Sequence, residues 1–122
     1  MTYLRFVASV DSEEARNQNG LFTELQILKD KNQLFDYQIG FLEDTFIYFN
    51  DNLPVPPYSR KNIPKEAVAW FKDTAQEFIN KMWDLVTILE ENDVNTRVLK
   101  TDKPDMILYE DEFQVVAKSK KF

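Results

Sequence analysis

Apolar and polar residues alternate at the start of the chain, with Leu4, Phe6, Ala8 and Val10 on one face and Tyr3, Arg5, Val7 and Ser9 on the other. That period of two is what a pleated backbone imposes, so residues 2–10 read as a strand. Residues 11–19 lose all apolar periodicity and read as a loop closed by Gly20. Leu21, Leu25 and Leu28, with Phe22 beside them, then lay one stripe along a short helix ending near Lys31. Asp36 stands where its carboxylate could cap a second helix. Along it Ile39, Leu42, Phe46, Phe49 and Leu53 recur at helical spacing, widened by Phe41 and Tyr48. A Phe-rich stripe of this kind is read as core, because aromatics carry so much of the burial. Gly40 inside it costs on the order of 1 kcal/mol relative to alanine and is read as a close approach to a neighbour.

Residues 53–63 contain Pro54, Pro56 and Pro57 and should run extended as a stiff connector, with Tyr58, Arg60 and Lys61 as its candidate contact residues. Beyond Pro64, suited to a first helical turn, Val68, Phe71, Ala75, Phe78, Met82, Leu85 and Leu89 recur at alternating intervals of three and four. The spacing predicts one long helix to about Asn92, roughly 40 Å at 1.5 Å per residue, with Asn92 in the left-handed conformation that ends it. Ala67, Trp70, Ile79, Trp83 and Val86 add apolar surface off that stripe, to be covered within the fold or at a subunit interface. Trp70 and Trp83 are the candidate interface residues, since large amphipathic aromatics are enriched at interface centres. Residues 94–101, 106–109 and 113–117 read as three further strands, the last two forming an antiparallel hairpin around Glu110, Asp111 and Glu112.

Strands grouped at the two ends of the sequence, with helices between, predict an α+β fold. The expectation is one domain over residues 1–122: a small, mainly antiparallel sheet of the N-terminal strand plus three C-terminal strands, packed on one long and two shorter helices.

Composition changes the picture mostly by exclusion. With no histidine and no cysteine, the chain lacks an imidazole base and the usual ligands of zinc, haem and iron–sulfur centres. Gly20 and Gly40 are its only glycines, too few and too far apart for a phosphate-cradling loop. No cofactor is therefore expected. The net charge is −6, and residues 1–52 hold four Lys/Arg against nine Asp/Glu, which disfavours nucleic acid as a partner. No stretch approaches the ~20 apolar residues of a bilayer span, and the opening residues lack the pattern of a secretory leader, so a soluble cytoplasmic protein away from membranes is expected.

Surviving chemistry rests on carboxylates and cations. Glu110, Asp111 and Glu112 could hold a hard cation only if a turn gathers them, because alternation along a strand separates Asp111 from its neighbours; no metal site is expected. A buried Arg5 or Arg97, or Lys100, would need a carboxylate such as Asp73 or Glu112. An acid–base or anion site would draw on Arg5, Lys72, Asp73, Arg97, Glu110 and Glu112. A phosphate site would need Arg5, Arg60, Lys61 and Lys72 to converge.

The strings Trp70-Phe71-Lys72-Asp73 and Tyr109-Glu110-Asp111-Glu112-Phe113-Gln114-Val115-Val116-Ala117, with the opening Tyr3-Leu4-Arg5-Phe6-Val7, resemble those of small bacterial proteins that carry no assigned activity. The resemblance covers roughly a third of the chain and implies a bacterial or phage-related origin. Asp105 and Phe78 depart from its pattern, which has Gly and His there. The leading expectation is a non-catalytic protein-interaction or regulatory module, of inhibitor or immunity type, binding a protein partner or a second copy through Trp70, Trp83, Tyr58, Arg60 and Lys61. The alternative is a small carboxylate/arginine enzyme or a nucleotide- or phosphate-binding domain.

Overall fold

The computed structural model of the chain describes residues 1–8, 19–59, 62–64 and 66–118. Its elements run β1 (Tyr3–Ala8), β2 (Asn19–Gly20), α1 (Leu21–Asp30), α2 (Asp36–Asn52), β3 (Val68–Lys72), α3 (Gln76–Glu91), β4 (Thr96–Thr101), β5 (Met106–Glu110) and β6 (Gln114–Lys118). Every strand pairing among the described residues is antiparallel. β4 lies along the whole of β1, from Tyr3 opposite Thr101 to Ala8 opposite Thr96. The other side of β1 is shared, with Tyr3 and Leu4 opposite Lys72 and Phe71 of β3, and Val7 and Ala8 opposite β2. β3 continues to β6, and β6 to β5. The fold is thus α+β, with an antiparallel sheet packed against helices and the N-terminal strand paired with a C-terminal one. Val10 and most of the segment 11–19 lie outside the described residues.

The long helix expected from Pro64 to Asn92 is instead a strand followed by a shorter helix. Val68–Lys72 reads Val-Ala-Trp-Phe-Lys, and its Val, Trp and Phe favour a strand over a helix. It lies between β1 and β6, pairing with β6 from Val68 to Phe71 and with the start of β1 at Phe71 and Lys72. The chain then turns, with the Ala75 N–H donating to the Lys72 carbonyl at 2.9 Å and the Gln76 side chain donating to the Asp73 carbonyl at 2.6 Å. From Gln76 onward the stripe is helical: Phe78, Met82, Leu85 and Leu89 are buried, joined by Ile79, Val86 and Ile88. Ile79 and Val86, read as surplus apolar surface, are therefore covered by the fold itself.

α3 carries the centre of the core, where it meets Leu21, Leu25 and Leu28 of α1, Leu42 and Phe49 of α2, and Phe6 and Ala8 of the sheet. Leu85 and Leu89 are fully enclosed. At the end of α3, Asn92 stays right-handed (φ −105°) and Asp93 takes the left-handed conformation (φ 61°). The expected cap is displaced by one residue because a short polar side chain tolerates that region at either position.

α2 departs from its predicted face. Its buried positions are Gln38, Leu42, Thr45 and Phe49, so Phe46, placed on the core stripe from sequence, stands 53% exposed. Gln38, not Asp36, closes the helix start by accepting the Phe35 N–H at 2.9 Å. Gly40 is exposed, and a Cβ added there would meet nothing within 4 Å, which corrects its reading as a close-packing site. Gly40→Ala should therefore stabilise the fold by about 0.5–1 kcal/mol through reduced freedom of the unfolded chain, readable as a raised midpoint in urea. A lowered midpoint would show that alanine meets a steric cost there.

Candidate functional site

α1 and α2 form an antiparallel helical pair whose inner stripes face α3 and the sheet. Their outer flanks leave an apolar groove of about 790 Å³, walled by Phe22 and Ile27 of α1 and by Leu42, Phe46 and Ile47 of α2. Phe22 links the groove to the core: its ring packs edge-on against Phe49 at 5.1 Å and against Phe46 at 5.8 Å. Phe46 and Ile47 are 53% and 56% exposed, a large apolar surface for adjacent residues of one helix. Isolated exposed apolar residues are ordinary, and a contiguous apolar concavity is the feature that makes this one a candidate site. Lys29 and Glu43 pair across the rim at 3.3 Å with both side chains solvated, an arrangement worth a few tenths of a kcal/mol. α2 also carries Asp36, Asp44 and Asp51 and has no lysine or arginine, so its own surface is acidic.

The sequence-predicted contact residues are dispersed. Trp83 projects from α3 with its ring edge-on to Phe6 at 5.3 Å and remains 46% exposed. Trp70, on β3, lines a separate cavity of about 240 Å³ with Val68 and the residues that connect β4 to β5. Tyr58 is exposed in a turn, its carbonyl accepting the Ile63 N–H at 3.0 Å. Arg60 and Lys61 lie outside the described residues. None of the three placed residues borders the α1–α2 groove.

The residues of the acid–base alternative are likewise spread over the sheet. Lys72 and Glu110 form an ion pair at 2.6 Å. Asp73 accepts the Thr2 N–H at 3.0 Å and returns its own N–H to the Thr2 carbonyl, which ties the chain start to the end of β3. Arg5 is partly buried in mid-strand, and that burial lowers its pKa. Arg97 is exposed opposite Val7, and Glu112 is exposed at the hairpin tip. Among the described residues neither Arg5, Arg97 nor Lys100 is in an ion pair with Asp73 or Glu112. No group of three or more metal-ligating side chains is found among the described residues.

Asp111 has a structural position. It accepts the Phe113 N–H at 2.8 Å, the Gln114 N–H at 3.1 Å, the Tyr109 hydroxyl at 2.8 Å and the Gln114 side chain at 3.0 Å. Gln114 is buried and also donates to the Pro54 carbonyl at 2.7 Å, which fastens the Pro-rich connector to the hairpin. Burial raises the Asp111 pKa, but the four accepted hydrogen bonds outweigh it and hold the carboxyl below its ordinary value. Tyr109 is raised, first by its bond to Asp111. Tyr109, Asp111 and Gln114 of the Tyr-Glu-Asp-Glu-aromatic-Gln string thus hold the hairpin together.

Sequence reading missed the groove because it placed Phe46 in the core and left Ile47 off the stripe. The available signal was only that α2 carries more apolar residues than one stripe can hold; that polar Gln38 and Thr45 occupy its interior line emerges from the structure. Among the described residues no helix is long and apolar enough to cross a membrane. No family model matches the chain, nor does any curated protein or solved structure.

Proposed function

We propose that the protein is an interaction module that binds a protein partner through the α1–α2 groove. Phe46 and Ile47, held half out of the fold over an apolar cleft, carry this reading. A groove of this shape suits a macromolecule better than a small ligand, because its open side leaves more than half of two wall residues in water, whereas small-ligand sites enclose most of what they bind. The missing imidazole and thiol chemistry supports the same reading, as does the lack, among the described residues, of an ion pair joining Arg5 or Arg97 to Asp73 or Glu112. A photo-crosslinking residue at position 47, in cells that carry the gene naturally, should give discrete adducts that the same residue at exposed Lys100 on the sheet does not. Equal labelling from both positions, or none from position 47, would remove the groove as the interaction surface.

A further inference from the structure

Resting on that reading, we infer that the occupant of the groove is a basic amphipathic helix of the partner, with its apolar face between Phe22, Ile27, Phe46 and Ile47 and its lysines or arginines toward Glu43, Asp44 and Asp51. The walls are two antiparallel helices, and α1 has ten residues, about 15 Å of helix. A third helix laid along them matches that length over two to three turns, with anchors at positions i, i+3 or i+4, and i+7. Charge selects among occupants of that shape. Glu43 lines the cleft itself, and Asp44 and Asp51, three residues before and four after Ile47, neighbour it on the α2 surface just outside the cleft. Within the groove the one basic residue, Lys29, pairs with the one acidic residue, Glu43, so the uncompensated negative charge lies just outside it on Asp44 and Asp51.

A second copy docked by the same patch would set Glu43, Asp44 and Asp51 against their own equivalents, which like-charge repulsion opposes. An anionic lipid surface would be repelled by the same carboxylates. A cationic helix gains from both the apolar floor and the acidic rim, with the rim acting mainly on association rate and selectivity.

A displayed library of random 16-residue peptides, selected against the full chain, tests this. Enriched peptides should combine apolar residues at helical spacing with an excess of Lys and Arg. A synthetic copy of the strongest should bind at least about tenfold more weakly to Phe46→Asp or Ile47→Asp, two exposed positions whose variants can be checked for folding by circular dichroism. It should lose several-fold affinity to the Glu43→Lys/Asp44→Lys double variant, and its affinity should fall as salt rises. Enriched peptides that are neutral or acidic yet sensitive to Phe46→Asp would overturn the inference about charge and leave the groove as the interaction surface. Peptides indifferent to both groove variants, or a library that yields no binder, would overturn both. A dimer in sedimentation that Phe46→Asp dissolves would make a second copy the occupant and overturn the basic helix.

Discussion

Replacing Phe78 with alanine will destabilise the fold by about 3–5 kcal/mol, the usual range for removing a buried aromatic and leaving its cavity. The side chain is 3% exposed at the start of α3. Its ring meets Phe113 at 5.0 Å, Phe49 at 5.2 Å, Tyr48 at 5.6 Å and Phe71 at 6.3 Å. Those four belong to the hairpin tip, α2 and β3, so Phe78 is where the helical layer, the central strand and the β5–β6 hairpin are held together. Few neighbours can collapse into the gap, because each is fixed by its own element. Domains of this size have about 5–15 kcal/mol in total, so the variant will be marginal at 37 °C. Chemical denaturation read by circular dichroism gives the number directly, and a loss under 1 kcal/mol would mean that the aromatic cluster repacks without it.

Asp111→Ala will cost about 2 kcal/mol, from charge-assisted hydrogen bonds each worth about 1.5–3 kcal/mol, discounted because the carboxylate is partly solvated. The loss has two parts. The hairpin turn gives up the acceptor for the Phe113 and Gln114 N–H groups, and buried Gln114 keeps only the Pro54 carbonyl. The pH dependence follows from the depressed native pKa. A carboxyl that ionises more readily folded than unfolded contributes its stability above the unfolded value of about 3.9 and loses it as pH falls through the native value. The stability gap between wild type and Asp111→Ala should hold constant from pH 7 to about pH 5 and narrow below that. A gap independent of pH down to the acid transition would show that Asp111 acts through its shape in the turn and not through its charge.

The aromatic centre also bears on what the interaction surface can tolerate. Phe22 is shared between the groove and Phe49 of the core, so substitutions there would mix binding with stability. Phe46 and Ile47 sit one layer further out, which is why they are the positions of choice for separating the two.

Local pattern by itself determined much of this protein. The alternation of Leu4, Phe6 and Ala8 specified β1 and its core face, the 21–25–28 stripe specified α1, and the apolar runs beyond residue 94 specified the C-terminal strands, because each pattern is generated and satisfied within a few residues. The absence of histidine and cysteine also bounded the chemistry without any coordinates.

Tertiary structure decided what depended on partners distant in sequence. Val68 and Phe71 continue the three–four spacing of Phe78, Met82 and Leu85, yet β1 and β6 offer the segment a ladder on both sides, and paired backbone outweighs the weak helix preference of Val, Trp and Phe. Asp111 is one member of an acidic triplet on paper; only the hairpin turn brings four donors onto it and leaves Glu110 to Lys72. The groove was the least legible feature of all. Which flank of α2 is buried depends on where α3 and the sheet lie, and a rotation of the helix by one position exchanges Phe46 for Thr45 at the core, a choice that helical periodicity in an apolar-rich segment does not resolve.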